Sequence, residues 1–381
     1  MTVSDDRLLP LRRQAREWAG ELRAHAVGAG PVPQDAAVLA GLPLLSQLAE
    51  LQIPEAYQPR PLVIGAECYF LTSARERVLL YEEAAWADLG LVLSGPGSLT
   101  SGPMVALLGD ERQQQWFFGR LLERPMWTFL AMTEAHGGSD AAAMRTSLTP
   151  SAGGGFTLSG SKAYVGNAAR AQLGVVFART GPGPLGIRAV LVESAAPGFR
   201  STRTATIGLR GSLGALEFDS VAVPREQVLG EHLPASRRGM WAWLQCFQVL
   251  RTVAAAMGVG VARAAHDYVL RHRTRLTVDE RRRLDRTTAR IASVRALTWA
   301  AAAAVDAGQG SGQLSSAAKA SASGLAAEVT RQALGFFGPG ARVEHPLLDR
   351  WARDALGLEF MEGTSNIQRL AVAQACLRGS P

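Results

Sequence analysis

The sequence predicts a multidomain chain of α and β parts: a helical N-terminal domain over residues 1–127, a β domain over 128–234 and a helical bundle over 235–381. Three observations predict it. Apolar residues recur at spacings of three and four through the first third. Short apolar runs broken by glycine and proline fill the middle. Helical spacing returns after about Ala235 and persists to the C-terminus.

In the first part, Leu8, Leu11, Ala15 and Trp18 share one helix face, and Arg75 to Ala87 and Asp110 to Leu122 read the same way. Asp110-Glu111 places acid at a helix start, where the dipole favours it. In the middle part, the runs beginning at Phe156, Leu173, Arg188 and Leu216 read as strands, with turns at Ser151-Ala-Gly-Gly-Gly and Thr180-Gly-Pro-Gly-Pro. In the last part, Met240 to His272, Val278 to Ala307, Gly312 to Leu334 and Leu347 to Leu377 are four helical regions that suggest a bundle. The alanine-rich stretches read as helix packing.

Composition narrows the function classes. With 381 residues and 47% hydrophobic content, the chain can bury large cores. Cys68, Cys246 and Cys376 are scattered without metal-like spacing, and the six histidines form no metal pattern, so a disulfide framework and a metal site are not expected; a reducing cytoplasm is. No signal peptide and no membrane-spanning run are read. The net charge is +7, and lysine occurs only at Lys162 and Lys319; the rest of the cationic charge is arginine. That charge suits phosphates or an acidic partner protein. Zinc spacing, a helix-turn-helix pattern and aromatic-basic interleaving are missing, so nucleic acid is not expected.

The segment Phe129-Leu-Ala-Met-Thr-Glu-Ala-His-Gly-Gly-Ser-Asp140 runs an apolar strand into a loop of hydroxyls, acids and two glycines. Gly137-Gly138 alone is an ordinary turn, though it also lets backbone N–H groups approach a ligand. Further on come Gly160-Ser-Lys-Ala-Tyr-Val-Gly-Asn167, Leu209-Arg-Gly-Ser212 with Glu217-Phe-Asp-Ser-Val-Ala-Val-Pro224, Phe337-Gly-Pro-Gly340, Arg353-Asp-Ala355, and Met361-Glu-Gly-Thr-Ser-Asn-Ile-Gln-Arg369. Glu362 stands between an apolar pair, Phe360-Met361, and Gly363, before a helix that Ser365 and Gln368 can start with a capping box. A carboxylate desolvated there gains strength as a base.

In their order, from about residue 50 to 378, these strings resemble the acyl-CoA dehydrogenase family. The resemblance implies a helical domain, a central β-barrel and a C-terminal four-helix bundle, with FAD as cofactor. It implies that Met132, Thr133, Tyr164 and Gly166 lie along the flavin, that Ser139 lies near the FAD pyrophosphate and the thioester, and that Thr364 and Asn366 also serve the cofactor. Gly338 would complete the FAD site of a neighbouring subunit in a dimer or tetramer. It makes Glu362 the base that takes a proton next to a thioester carbonyl while the β-hydride leaves to flavin N5. The Glu362 N–H would help polarise the carbonyl. Gln248, Arg251 and Gly363 fall on the substrate side.

The departures are specific. Tyr164 and Gly166 replace a tryptophan and a hydroxyl residue of the family pattern, and Gln248 stands where relatives often carry Asp. The stretch Arg271 to Arg286 lacks the family's Phe-Gly and has arginines for glutamines; Arg273, Arg283 or Arg286 would meet a pyrophosphate there. Three readings follow: dehydrogenation of an acyl thioester on CoA or an acidic carrier protein, with an electron-accepting flavoprotein or oxygen; a flavin monooxygenase or other oxidase on the same fold; and a non-catalytic homologue.

Overall fold

The computed structural model describes residues 5–28, 36–308 and 312–377. The N-terminal part contains α1 (Asp5–Gly28), α2 (Ala36–Ala40), α3 (Pro43–Leu51), a small hairpin of β1 (Leu62–Ile64) and β2 (Glu67–Tyr69), α4 (Ala74–Ser94), α5 (Ser101–Leu108) and α6 (Glu111–Glu123). The predicted helix at Asp110 begins as the acidic start requires. Asp110 accepts from the Gln113 amide, and the Gln113 side chain accepts from the Asp110 amide, which completes a capping box.

The central part is one sheet of β3 (Thr128–Ala131), β4 (Ser147–Pro150), β5 (Phe156–Gly166), β6 (Leu173–Arg179), β7 (Ile187–Glu193), β8 (Phe199–Arg203), β9 (Leu213–Val223) and β10 (Val228–Leu229). Its hydrogen-bonded order is β10-β7-β6-β4-β5-β9-β8, with β3 parallel to β6. Both faces of β6 are covered. Val175 and Phe177 pack with Met104, Val105, Phe117 and Phe118, while Val176 and Ala178 belong to the other apolar cluster. A strand buried on both faces has no polar side to alternate, which is why Leu173 to Ala178 reads as one apolar run.

The last part holds α7 (Met240–His272), α8 (Val278–Asp306), α9 (Gln313–Gly335), the short α10 (Ala341–Glu344), α11 (Pro346–Gly357) and α12 (Ser365–Leu377). The predicted region Leu347 to Leu377 is therefore two helices. Glu362 (φ 55°) and Gly363 (φ 95°) take left-handed backbone between them, and no α-helix passes through that geometry. By length and apolarity the helix over Ala235–His272 could cross a membrane, yet 72% of its most apolar window is buried inside the protein. Its small residues explain the burial. A Cβ at Gly260 would stand 2.3 Å from the Glu82 carbonyl oxygen, and one at Gly258 would stand 2.8 Å from that of Ala322. Only glycine lets α4 and α9 come that near.

Arginines tie the three parts together. Glu82 and Glu83 on α4 are buried and pair with Arg16 of α1, Arg263 of α7 and Arg295 of α8. Arg210, in the turn before β9, reaches into a break in α4 and pairs with buried Asp88 at 2.9 Å. The Leu209 amide donates to Asp354 of α11. Each guanidinium presents several donors at once, so it can satisfy a buried carboxylate and neighbouring carbonyls together.

Candidate active site

The predicted site residues fall into two groups. The first gathers where β3 ends. Met132 is buried in one apolar cluster with Met144, Cys246, Phe247 and Leu250, so the end of β3 faces the N-terminal half of α7. Its carbonyl accepts from Lys162 Nζ at 2.9 Å, and the Thr133 carbonyl accepts from the Ala163 amide at 2.9 Å. The pairing of β5 with β9 shifts register between Lys162 and Val165. Tyr164 lies in that bulge with φ 57° and is 61% exposed. A bulge re-aims a side chain, here away from the core. A Cβ at Gly166 would touch nothing, and the loop Ala135 to Asp140, Ser139 included, is exposed. An outward aromatic face beside open backbone and a loop whose Gly138 and Ser139 amides meet no acceptor among the described residues fits a flat, anionic cofactor such as FAD.

Glu134 lies between Thr133 and that loop. It accepts from the Arg145 and Thr146 amides, the Thr146 hydroxyl and Lys162 Nζ. Burial opposes its charge, but these donors hold its carboxyl down at about 2. Lys162 is 1% exposed, and burial pulls its ammonium below the usual lysine range against the pull of Glu134. The pair fixes the end of β3 to β5. The motif residue Asn167 acts similarly: its side-chain amide donates to the Leu93 carbonyl of α4, and its backbone N–H to the Ser212 carbonyl.

Glu362 lies in the turn between α11 and α12, and three side chains hold that turn. The Glu362 carbonyl accepts from Arg251 Nε at 3.3 Å and Gln368 Nε2 at 2.9 Å. Lys319 Nζ of α9 donates to the Glu359 carbonyl at 2.9 Å and the Gly363 carbonyl at 2.6 Å. A left-handed non-glycine residue is strained, and it persists where its surroundings over-determine it, as these donors do. Among the described residues the Glu362 carboxylate accepts no hydrogen bond. Burial therefore dominates and pushes its pKa up to about 7, against the opposing charges of Arg251 and Lys319.

Two local expectations are corrected here. Phe360 does not desolvate the carboxylate, being 75% exposed; α7 and α9 close over the turn instead. Ser365 and Gln368 do not form a capping box. The Glu359 carboxylate accepts from the Ser365 amide at 2.7 Å and its hydroxyl at 2.5 Å, while Gln368 is spent on the Glu362 carbonyl. An acid at the helix start serves the same orphan donors. Gly363 is required by its φ of 95°, where a side chain is strained, and a Cβ there would also displace Gln368 Nε2, 2.6 Å away.

The second group is spread from the Glu362 turn to the far ends of α7 and α9. Arg273 caps α7 about 33 Å beyond Arg251, at 1.5 Å rise per residue, and pairs with Glu280 at 3.0 Å. Gly338 (φ 80°) is exposed after α9 with open space around it, and Arg283 covers the neighbouring Phe336 ring. Thr364 and Asn366 flank Ser365 at the start of α12, partly buried and exposed respectively. Gln248 is partly buried on α7, near Gly312. Within one chain, Arg273 is remote from the Glu362 turn, whereas Thr364 and Asn366 directly follow that turn and Gln248 lies one helical turn before Arg251, which donates to the Glu362 carbonyl. Reading the motifs missed Lys162, Lys319 and Glu134 as anchors. A signal existed: in a chain whose cations are otherwise arginine, the two lysines stand out, and both are buried.

The model of the acyl-CoA dehydrogenase middle domain matches residues 130–221, and that of the acyl-CoA dehydrogenase C-terminal domain matches residues 237–377. The human mitochondrial short-chain specific acyl-CoA dehydrogenase is 31% identical over 306 residues, covering 77% of this chain and 73% of that protein. This chain belongs to the acyl-CoA dehydrogenase family. It is an oxidoreductase enzyme, and its cofactor is FAD. The solved butyryl-CoA dehydrogenase of Megasphaera elsdenii superposes with a TM-score of 0.82 at 25% identity, covering 96% of this chain and 98% of that one. The solved prolyl acyl carrier protein oxidase AnaB shares the fold with a TM-score of 0.80 at 18% identity, covering 96% and 98%.

Proposed function

We propose that this acyl-CoA dehydrogenase homologue desaturates an acyl thioester between its α and β carbons, with Glu362 as the base. The observation that carries the reading is the Glu362 turn: a carboxylate without hydrogen bonds, poised near neutral pH, on backbone fixed by Arg251, Lys319 and Gln368. Glu362 takes the α-proton. Its backbone N–H, which donates to no acceptor among the described residues, is free to polarise the thioester carbonyl. Met132, Thr133, Tyr164 and Gly166 hold the flavin ring of FAD, Ser139 its pyrophosphate side, and Thr364 and Asn366 flank it from α12. Bound FAD supplies the acceptor of the β-hydride at N5. Gln248, Arg251 and Gly363 border the thioester arm.

Arg273 and Gly338 serve a FAD bound mainly by a second copy of the chain, which accounts for the place of Arg273 at the far end of α7 from Arg251. The apolar side of α12 supports an oligomer, since Leu370 is 53% exposed in the single chain. Light scattering of the FAD-bound enzyme is expected to give a dimer or tetramer mass. A monomer that retains FAD removes this part of the reading.

The acyl group arrives on an acidic carrier protein in biosynthesis, in a cytoplasm that keeps the three free cysteines reduced. The side chains from Arg271 to Arg286 support this, because Arg271, Arg275, Arg281, Arg282, Arg283 and Arg286 are exposed; the electrons pass on to a flavoprotein or oxygen. The test offers one acyl group on CoA and on a carrier protein, at low and high salt, with product mass as readout. Loss of two hydrogens with a higher kcat/KM for the carrier form, falling as salt rises, is expected. Equal use of the CoA form refutes the carrier assignment, and gain of oxygen refutes desaturation.

A further inference from the structure

Lys319 is one of only two lysines in the chain, and its side chain on α9 is 0% exposed. Its ammonium gathers the turn that carries Glu362. Nζ donates to the carbonyls of Glu359 and Gly363, which bracket Glu362, at 2.9 and 2.6 Å. Ser323, one helical turn further along α9, donates to the preceding Leu358 carbonyl at 3.2 Å. The turn is thus wrapped round a cation. A compact ammonium with three donors suits carbonyls that converge from different directions, and the flat fork of an arginine does not.

Two contacts leave the third N–H of Lys319 without an acceptor among the described residues, and none of the described carboxylates pairs with it directly. The Glu362 carboxylate, in the same turn, also lacks a hydrogen-bonding partner among them. A buried charge is costly unless an opposite charge lies near it. The other titratable groups around the turn are engaged or neutral. Arg251 of α7 attracts the carboxylate, but its Nε is spent on the Glu362 carbonyl. The Cys246 thiol of α7 is pushed up to about 12 by burial and stays neutral. The Glu359 carboxylate is occupied by the amide and hydroxyl of Ser365. Burial pulls the Lys319 ammonium down to about 8, against the attraction of Glu359 and Glu362, so it is charged at neutral pH.

We propose that Lys319 is a positioning residue for the base: its ammonium fixes the turn through two carbonyls and supplies positive charge that keeps the buried Glu362 carboxylate ionised. The inference deepens the reading of Glu362 as the base and rests on it. Coupling between two charges is reciprocal. Without the ammonium the carboxylate is harder to ionise, and without the carboxylate the ammonium loses its proton more easily, by the same amount.

The test uses the FAD-bound enzyme carrying isotope-labelled lysine. Two lysines give two side-chain NMR signals to follow against pH, and Lys162, which pairs with Glu134, is the internal reference. In Glu362→Gln the Lys319 titration is expected to move down by about one pH unit while that of Lys162 stays in place. In Lys319→Met, kcat/KM for butyryl-CoA with an artificial electron acceptor is expected to fall about tenfold below the wild-type midpoint and to recover at alkaline pH, because the midpoint moves up by about one unit. A merely structural lysine would lower the rate equally at every pH. An unmoved Lys319 signal in the FAD-bound glutamine variant overturns the inference and leaves Glu362 as the base, as does a loss in Lys319→Met that is the same at every pH. The lysine titration needs neither turnover nor a folded Lys319 variant, so it decides the matter where Lys319→Met loses FAD. A shifted signal in a glutamine variant that still desaturates at the wild-type rate removes the base assignment, and the positioning role falls with it.

Discussion

Glu362→Gln is expected to keep bound FAD and to lower the rate of desaturation by about a thousandfold or more. The glutamine amide is nearly the same shape, and the turn it occupies is held through backbone carbonyls, which the substitution leaves in place. What disappears is the only step that needs the carboxylate, acceptance of the α-proton. The pH dependence of the wild type provides an independent check. Glu362 must be ionised to act, and its pKa is raised to about 7 by burial. Activity as kcat/KM should therefore fall about tenfold per pH unit below that value and level off above it. Near wild-type turnover by the FAD-bound glutamine variant would assign the proton to another residue.

The second large effect is on stability. Lys162→Met is expected to destabilise the fold by about 3–5 kcal/mol, read by denaturant or thermal unfolding. The loss has a specific source. Glu134 would stay buried with its amide and hydroxyl donors but without its cation, and the Met132 carbonyl would lose its donor. Because Met132 and Thr133 end β3, FAD content should fall as well. Adding Glu134→Gln to Lys162→Met should recover part of the lost stability, since it removes the unpaired buried charge. A change under about 1 kcal/mol in the single variant would show that the pair contributes little.

Much of the helical part was legible because its signals are local. α7 spans Met240–His272, the bounds that periodicity predicts, and Asp110 starts α6 as an acid at a helix start should. The turn at Glu362 was legible as a position but not as a mechanism. Phe360 beside it in sequence turns outward, and the groups that hold it come from α7, α9 and α12. Adjacency in sequence says little about desolvation, which depends on what distant segments cover.

By itself the sequence determined the order of helical, β and helical parts, the strand and loop at Phe129 to Asp140, and Glu362 as the carboxylate in question, because periodicity, turn residues and motifs are properties of neighbouring positions. Tertiary structure alone decided the rest. It buried both lysines, paired Lys162 with Glu134, and brought Arg251, Lys319 and Gln368 onto the Glu362 turn. Each of these is a matter of which groups from remote parts of the chain meet away from water. That meeting determines a group's solvation and its partners, and through them its charge and chemistry.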